Sequence, residues 1–563
     1  MAHFGLADAW ATLGYDANAR AEARKAFDLS DRLSREQRLS VEGRYRETAG
    51  EWDKAIEIYG ALLTFFPDNV EYGLRLAAAQ STGGKAQDAL ATLAKLRRLP
   101  PPAPEDPRID LTEAAVAQSL GDFRLQQAAA SRAVAKGVAQ GARLLVARAR
   151  LREAYALDRL GEPPKAAVAG EAARQIFAEA GDRGGLAGAL NIIGSLSWYH
   201  GDLETARTTW EECLRVRRQI GYRSGVAASL HNIGLVLWEQ GDLGGARGSM
   251  EDGHAINREL GDRPGRAIAL EDIAGLLDDL GDLTGAKTAA EQALFLARDI
   301  GDRTEAALAL MRLARISHEE GDLPAAEARY REILPTLQER GTRDSVADTL
   351  FNLAELLKAK GDHAASREGH EAALTIRTEL RAAFAVAKSQ VALARLSIEE
   401  GRPQAAEPRL RSAARVFAAQ KAEDWEASAQ AAHARALLAC NQPGDALQPA
   451  ERSAVLVVRS QSPQVRLAVT ADLARVQAGT GRSEEARRRI AAALAEAVRL
   501  RLLGLQLELR LARCEVELAS GGGASEAELV ALEQDAQARG FGQVARKARA
   551  LLRSRPAKAG GAS

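Results

Sequence analysis

Cysteine is almost missing: Cys213, Cys440 and Cys514 are the three in 563 residues, and no two lie close enough for a CxxC pair. That excludes a disulfide framework and a thiolate metal site, and it suits a reducing compartment, so a cytoplasmic location is expected. Aromatic residues make up only 4%, too little for a core built of large rings. Neither sign of charge is in surplus, with 76 Lys plus Arg against 76 Asp plus Glu. A nucleic-acid binder gains much of its affinity by neutralising phosphates, so this balance argues against a nucleic-acid partner. No apolar run is long enough for a membrane span, and the start, MAHFGLADAW, has no basic segment followed by an apolar one. Neither a membrane anchor nor a recognisable secretion signal is expected. The phosphate loop GxxxxGK[ST], the HExxH helix, the GxSxG elbow and the kinase sequences GxGxxGxV, VAIK, HRD and DFG are missing as well. An enzyme is therefore not expected, nor a cofactor or metal.

What the chain does have is a period. Glycine recurs every twenty residues from Gly121 through Gly161, Gly201, Gly241, Gly281 and Gly321 to Gly361, and again at Gly401, Gly481 and Gly521. Aspartate often follows, as at Asp182, Asp202, Asp242, Asp262, Asp282, Asp302, Asp322 and Asp362. Glycine ends a helix by taking the left-handed conformation other residues resist, and aspartate caps the next helix by accepting its unpaired N–H groups. The spacing predicts one helix and one tight turn per twenty residues. A second period of forty runs through small residues: Ala114, Ala154, Gly194, Gly234, Ala274, Ala314, Ala354, Ala394, Ala434, Ala474 and Cys514. Five residues after alternate glycines alanine stands again, as at Ala206, Ala246, Ala286 and Ala326. Small residues on facing helices let the two halves of a hairpin approach closely. Gln126, Ser366 and Glu526 replace the second alanine, Asn441 replaces a glycine, and position 381 is Arg.

This pattern resembles the tetratricopeptide repeat, in which a small residue, a turn glycine, an alanine and an aromatic follow at fixed offsets. Residues 36 to 67 carry it in the common 34-residue form, with Leu39, Gly43, Tyr45, Gly50, Ala55, Tyr59 and Pro67. Ala77, Gly84 and Ala89 begin the next repeat, and Ala7, Gly14 and Ala19 an earlier one. The resemblance implies an all-α, right-handed solenoid of about 14 helical hairpins, three of about 34–36 residues and eleven of about 40. The expected division is 1–99 for the short repeats, 100–107 for the connection PPPAPEDP, 108–520 for the long repeats, 521–555 for capping helices and 556–563 for a disordered tail. The segments LSREQRLSVEGRYRETAGEWDKAIEIY and RGFGQVARKARALL are similar to C-terminal repeat regions of bacterial serine/threonine protein kinases and winged-helix regulators. The first helix starts at Met1 without a cap. Together these give, as the alternative to a non-catalytic interaction scaffold, the sensor portion of a longer signalling protein.

The family implies a partner, protein or peptide, held on the inner wall formed by the first helices. Its wall positions stand at set offsets around the small residue. Carried over, they include Asn191, His231 and Glu271, then Ser195, Leu235 and Arg315, then Trp198, Trp238, Asp278 and His318, with Tyr199 and Glu239 beside them. Trp198 and Trp238 occupy equivalent sites in adjacent repeats, and large aromatics on a wall serve as anchors. The competing reading is that both rings pack against the neighbouring repeat. Carboxylate pairs such as Asp278–Asp279 and Glu399–Glu400 precede turn glycines and read as solvated helix ends. His363 and His370 read as surface residues, and His254 as a hydrogen-bonded core histidine. Oligomeric state is not legible.

Overall fold

The computed structural model describes residues 1–12, 16–521 and 525–554; Gly14 and the tail 556–563 lie outside them. Every regular element among the described residues is helical, with 29 α-helices and three short 3-10 turns. Consecutive helices pack on one another as antiparallel hairpins, and the last two, Glu526–Ala538 and Gly542–Ser554, pack together.

The hairpin follows from local chemistry. Glycines at the twenty-residue junctions take φ between +68° and +90°. The next aspartate caps the following helix, Asp242 accepting from Gly245 N, Asp282 from Gly285 N and Asp322 from Ala325 N. In several hairpins the small residue of the first helix faces a larger one sixteen positions later. A Cβ on Gly194 would sit 2.6 Å from Trp210 Nε1, and one on Gly234 would sit 2.7 Å from Met250 Cγ. Trp210, Met250, Tyr330 and His370 repeat at period forty on the second helices, and all are buried. In these hairpins size is shared across the interface, large on one helix and small on the other, which keeps the packing dense.

The chain divides into two compact units. Unit 1 comprises residues 1–197 and 208–229, and unit 2 residues 198–207 and 230–563. In unit 1 the proline-rich stretch 100–107 is strapped down: Lys136 Nζ donates to Pro104 O at 2.7 Å and Gln140 Nε2 to Glu105 O at 2.8 Å. Just after it, buried Asp110 is gripped by Arg97, Arg132 and Lys136.

In unit 2 the first helices are α1 (Arg223–Gln240, from residue 230), α2 (Arg263–Asp279), α3 (Arg303–Glu320), α4 (Arg343–Lys360), α5 (Ala383–Glu399), α6 (Glu423–Ala439), α7 (Pro463–Gly479) and α8 (Leu503–Ala519), and the last helix is α9 (Gly542–Ser554). Five turn glycines rest on the start of the first helix five hairpins later: Gly201 on Phe384, Gly241 on Asp424, Gly281 on Pro463, Gly321 on Leu503 and Gly361 on Gln543. Hydrogen bonds pin the same contacts. Leu203 N donates to Gln420 Oε1 at 2.9 Å, Gly244 N to Gln461 Oε1 at 2.7 Å, and Gln464 Nε2 to Asp278 O at 3.0 Å. Arg546 Nη2 donates to Gly361 O at 2.6 Å. The stack therefore returns on itself inside unit 2, and its first helices enclose a common interior.

Candidate functional site

The interior of unit 2 is lined by charged side chains at the repeated offsets. The predicted site residues divide between the units. Asn191 and Ser195 belong to unit 1, where Ser195 Oγ donates back to Asn191 O at 2.9 Å. The other ten belong to unit 2. Trp198 is half-buried and meets Tyr199 edge-on, with ring centroids 5.2 Å apart, and Tyr199 is exposed. Trp238 packs onto the next repeat: its ring overlies Gly275, Arg312 lies 5.4 Å from the ring centroid, and its Nε1–H donates to Asp279 Oδ2 at 2.7 Å. Leu235 joins the same apolar cluster. Glu239 accepts from Lys388 Nζ at 2.8 Å.

Two carboxylate clusters follow along α2. Glu271 and Asp272 share Arg312, at 2.6 and 3.2 Å, and His231 Nε2 stands 3.2 Å from Asp272. Asp278 and Asp279 share Arg315, whose Nε lies 2.6 Å from Asp278 Oδ2. Asp278 is only 1% exposed, so it is not the solvated helix end its place before Gly281 suggests. Glu399 likewise is enclosed, by Arg435 at 2.7 Å and by Lys547. The correction has one cause. A helix end on the inner wall is covered by residues four or five hairpins away, here Lys547 and Gln464, and local spacing does not register them. His370 is fully buried, with Nε2 3.1 Å from Glu355, and His363 bonds Gln543, so neither is a free surface residue. His254 is half-buried, and its Nδ1 lacks a hydrogen-bond partner.

Beyond these clusters lies a cavity of about 240 Å³ between α3 and α9. Its polar lining is His318 and Glu319 from α3, Glu355 and Lys358 from α4, Arg395 and Glu399 from α5, Arg435 from α6, Asp472 and Arg475 from α7, Glu508 from α8 and Gln543 and Lys547 from α9. Ala468, Leu505, Phe541 and Val544 form its apolar part. Most charges pair across it. Arg395 Nη1 donates to Asp472 at 2.9 Å, Arg435 bridges Glu399 and Asp472, and Arg475 bridges Glu508 and Glu515 at 2.6 and 2.5 Å. Arg435, Arg475 and Glu515 each stand one residue after the small residue. Extending the offset that placed Ser195, Leu235 and Arg315 would have found them.

Burial and excess acid shape the titration of this wall. Burial, then Asp272 beside it, pushes Glu271 up to about 7. Burial, then Glu271 and Asp272, pushes Glu305 up to about 8. Burial and Asp278 likewise push Glu319 up to about 8. Burial holds His318 neutral, down to about 4. Burial alone would raise Glu355, but Lys358 and His370 hold it well below the usual carboxylate range.

Residues 185–259 match the family model described as tetratricopeptide repeat. No curated protein matches the chain by sequence. Among solved structures, the APC/C hetero-tetramer Cut9–Hcn1 is similar over 95% of this chain and 98% of that one, with 13% identity and a TM-score of 0.53. A Rap protein complexed with competence and sporulation factor is similar over 61% of this chain and 99% of that one, with 16% identity and a TM-score of 0.46. The Rap conjugation gene regulator of plasmid pLS20 in complex with the Phr* peptide covers 61% and 95%, with 16% identity and a TM-score of 0.44. At 13% identity the likeness to Cut9–Hcn1 concerns the fold, and it agrees with the paired helices, the turn glycines and the small-to-large contacts described above. Residues 185–259 thus carry tetratricopeptide repeats, and helical hairpins in the same register run on either side of them.

Proposed function

We propose that unit 2 is a non-catalytic scaffold that holds a protein or peptide segment along the inner wall of its first helices. The observation that carries this reading is the cavity between α3 and α9, an opening of about 240 Å³. Concave sites with a few convergent polar groups on an apolar floor are where proteins take ligands. Rigid first helices, pinned to one another across five hairpins, supply a preformed wall, which lowers the entropy lost on binding. Holding is favoured over chemistry because no hydroxyl or thiol nucleophile lines the cavity, and its cations are engaged with carboxylates.

Ala468→Trp tests the reading by filling the cavity from α7. Affinity capture from the native host, compared between the natural chain and this variant, should lose the partners while circular dichroism stays unchanged. Phe295→Ala, on the exposed outer face, should leave capture intact. Recovery of the same partners by the Ala468→Trp protein would remove the inner wall as their site.

A further inference from the structure

We infer that the end of this cavity formed by His318 and Glu319 takes the guanidinium or ammonium head of a basic side chain on the bound peptide; the inference rests on the scaffold reading above. The cations around the cavity are already committed. Lys358 is held by Glu355, Arg395 by Asp472, Arg475 by Glu508 and Glu515, and Lys547 by Glu399. Among the described residues, Glu319 is the lining carboxylate with neither an ion pair nor a hydrogen bond, and His318 beside it has none either. An anion entering here would meet made pairs and one free carboxylate. A cation would meet that carboxylate and, at the neutral imidazole, a ring-nitrogen lone pair.

The surroundings favour the same sign. Asp278 and Asp279 on α2 share the single Arg315, so acid is in excess beside Glu319. Leu505 and Phe541 offer apolar surface to the methylene stem, as lysine and arginine prefer when their heads reach a polar partner. A volume of about 240 Å³ falls below the range of pockets that engulf drug-sized ligands and suits a side chain.

Proton linkage sharpens the expectation. Glu319 is faced by Asp278 and Asp279 from α2, Arg315 and His318 from α3, Glu355 and Lys358 from α4, Glu508 from α8 and Tyr330 from the second helix Leu323–Glu339. Its carboxyl, pushed up to about 8, is mostly protonated at neutral pH. A cation needs it ionised, so binding releases a proton and tightens as pH rises toward and past 8.

The full-length protein, titrated by fluorescence anisotropy with short alanine-based peptides carrying arginine, glutamate or neither, tests this. Arginine peptides should bind about tenfold tighter than the others, the worth of one charge-assisted hydrogen bond. Glu319→Gln, which breaks no ion pair, should erase that preference and the gain in affinity between about pH 6.5 and about pH 8.5. Equal binding of arginine and glutamate peptides, or an unchanged preference in Glu319→Gln, would overturn the inference. So would spermidine competing as tightly as the arginine peptide, which assigns the site to a free polyamine. Ala468→Trp keeps the two readings apart. If it abolishes partner capture while arginine peptides show no preference, the scaffold stands and the charge assignment falls; if capture survives it, the scaffold reading itself fails.

Discussion

At the scale of single residues, the twenty-residue junction tolerates more than glycine. Arg381, Lys421, Asn441 and Arg501 fill it with φ of 56°, 56°, 60° and 59°, the same left-handed turn made by a residue with a Cβ. The left-handed conformation costs a residue other than glycine or asparagine roughly 1–2 kcal/mol. These junctions hold because the helices on both sides are fixed by packing. Arg381→Gly and Arg501→Gly should therefore stabilise the protein by up to about 1 kcal/mol, the relieved strain being partly offset by the freer unfolded chain of glycine. Gly261→Ala, at φ 71° with no neighbour within 4 Å of the new Cβ, should cost about 1 kcal/mol through conformation alone. Urea midpoints of the three variants measure both signs, and a loss in Arg381→Gly would show that the junction is unstrained.

At the scale of the helix, the hairpins were legible in the sequence because their determinants are local. Turn glycines, capping aspartates and small-residue rows all lie within one repeat. The inner wall is less legible. Offsets from the small residue single out Asp278, Arg315 and His318 as candidates for it. Asp278 is covered by Gln464, contributed five hairpins later, and no spacing within a repeat encodes that. Trp238 is the reverse case: read as a possible anchor, its ring is taken up by Gly275, Asp279 and Arg312 of the next repeats. The pairing also predicts how stability follows pH. Glu305 is 7% exposed, one carboxylate oxygen lacks a partner, and its carboxyl is pushed up to about 8. Unfolded, it ionises near 4.5. Between those values the folded state binds the extra proton, so stability falls as pH rises through this window and levels off above about 8. His318, held near 4, has the opposite sign but acts only below about 6.5, its ordinary value. Glu305→Gln should thus be more stable than the natural chain at pH 8, by roughly a few kcal/mol at most. Its thermal midpoint should fall less steeply between about pH 6.5 and about pH 8. Equal slopes would mean that Glu305 is ionised in the folded protein.

At the scale of unit 2 taken as a body, the contacts across five hairpins change what a repeat protein ordinarily does. A simple stack has only nearest-neighbour interfaces, so damage in one repeat weakens its neighbours and fades with distance. Here Gly201, Gly241, Gly281, Gly321 and Gly361 each carry a first helix from the following turn of the stack. Disturbance at one point has a second route, directly to a hairpin far away in sequence. Leu503 is the sharpest place to look, because it lies on Gly321, at the end of α3, while starting α8. Leu503→Ala removes apolar contact there and leaves α8's cap and the charged wall in place, at a cost of roughly 2–3 kcal/mol. Hydrogen exchange should quicken in α8 and equally in the last turn of α3 and the turn at Gly321. The intervening α5 and α6, nearer in sequence to either, should keep their protection. Exchange spreading outward only from α8, repeat by repeat, would mean that the inter-turn contacts add nothing to stability. Direct coupling between α3 and α8 would also couple the cavity to both, since His318, Glu319 and Leu505 stand within a few residues of that contact. A ligand seated at His318 and Glu319 should then slow exchange at Gly321 and at the start of α8 together.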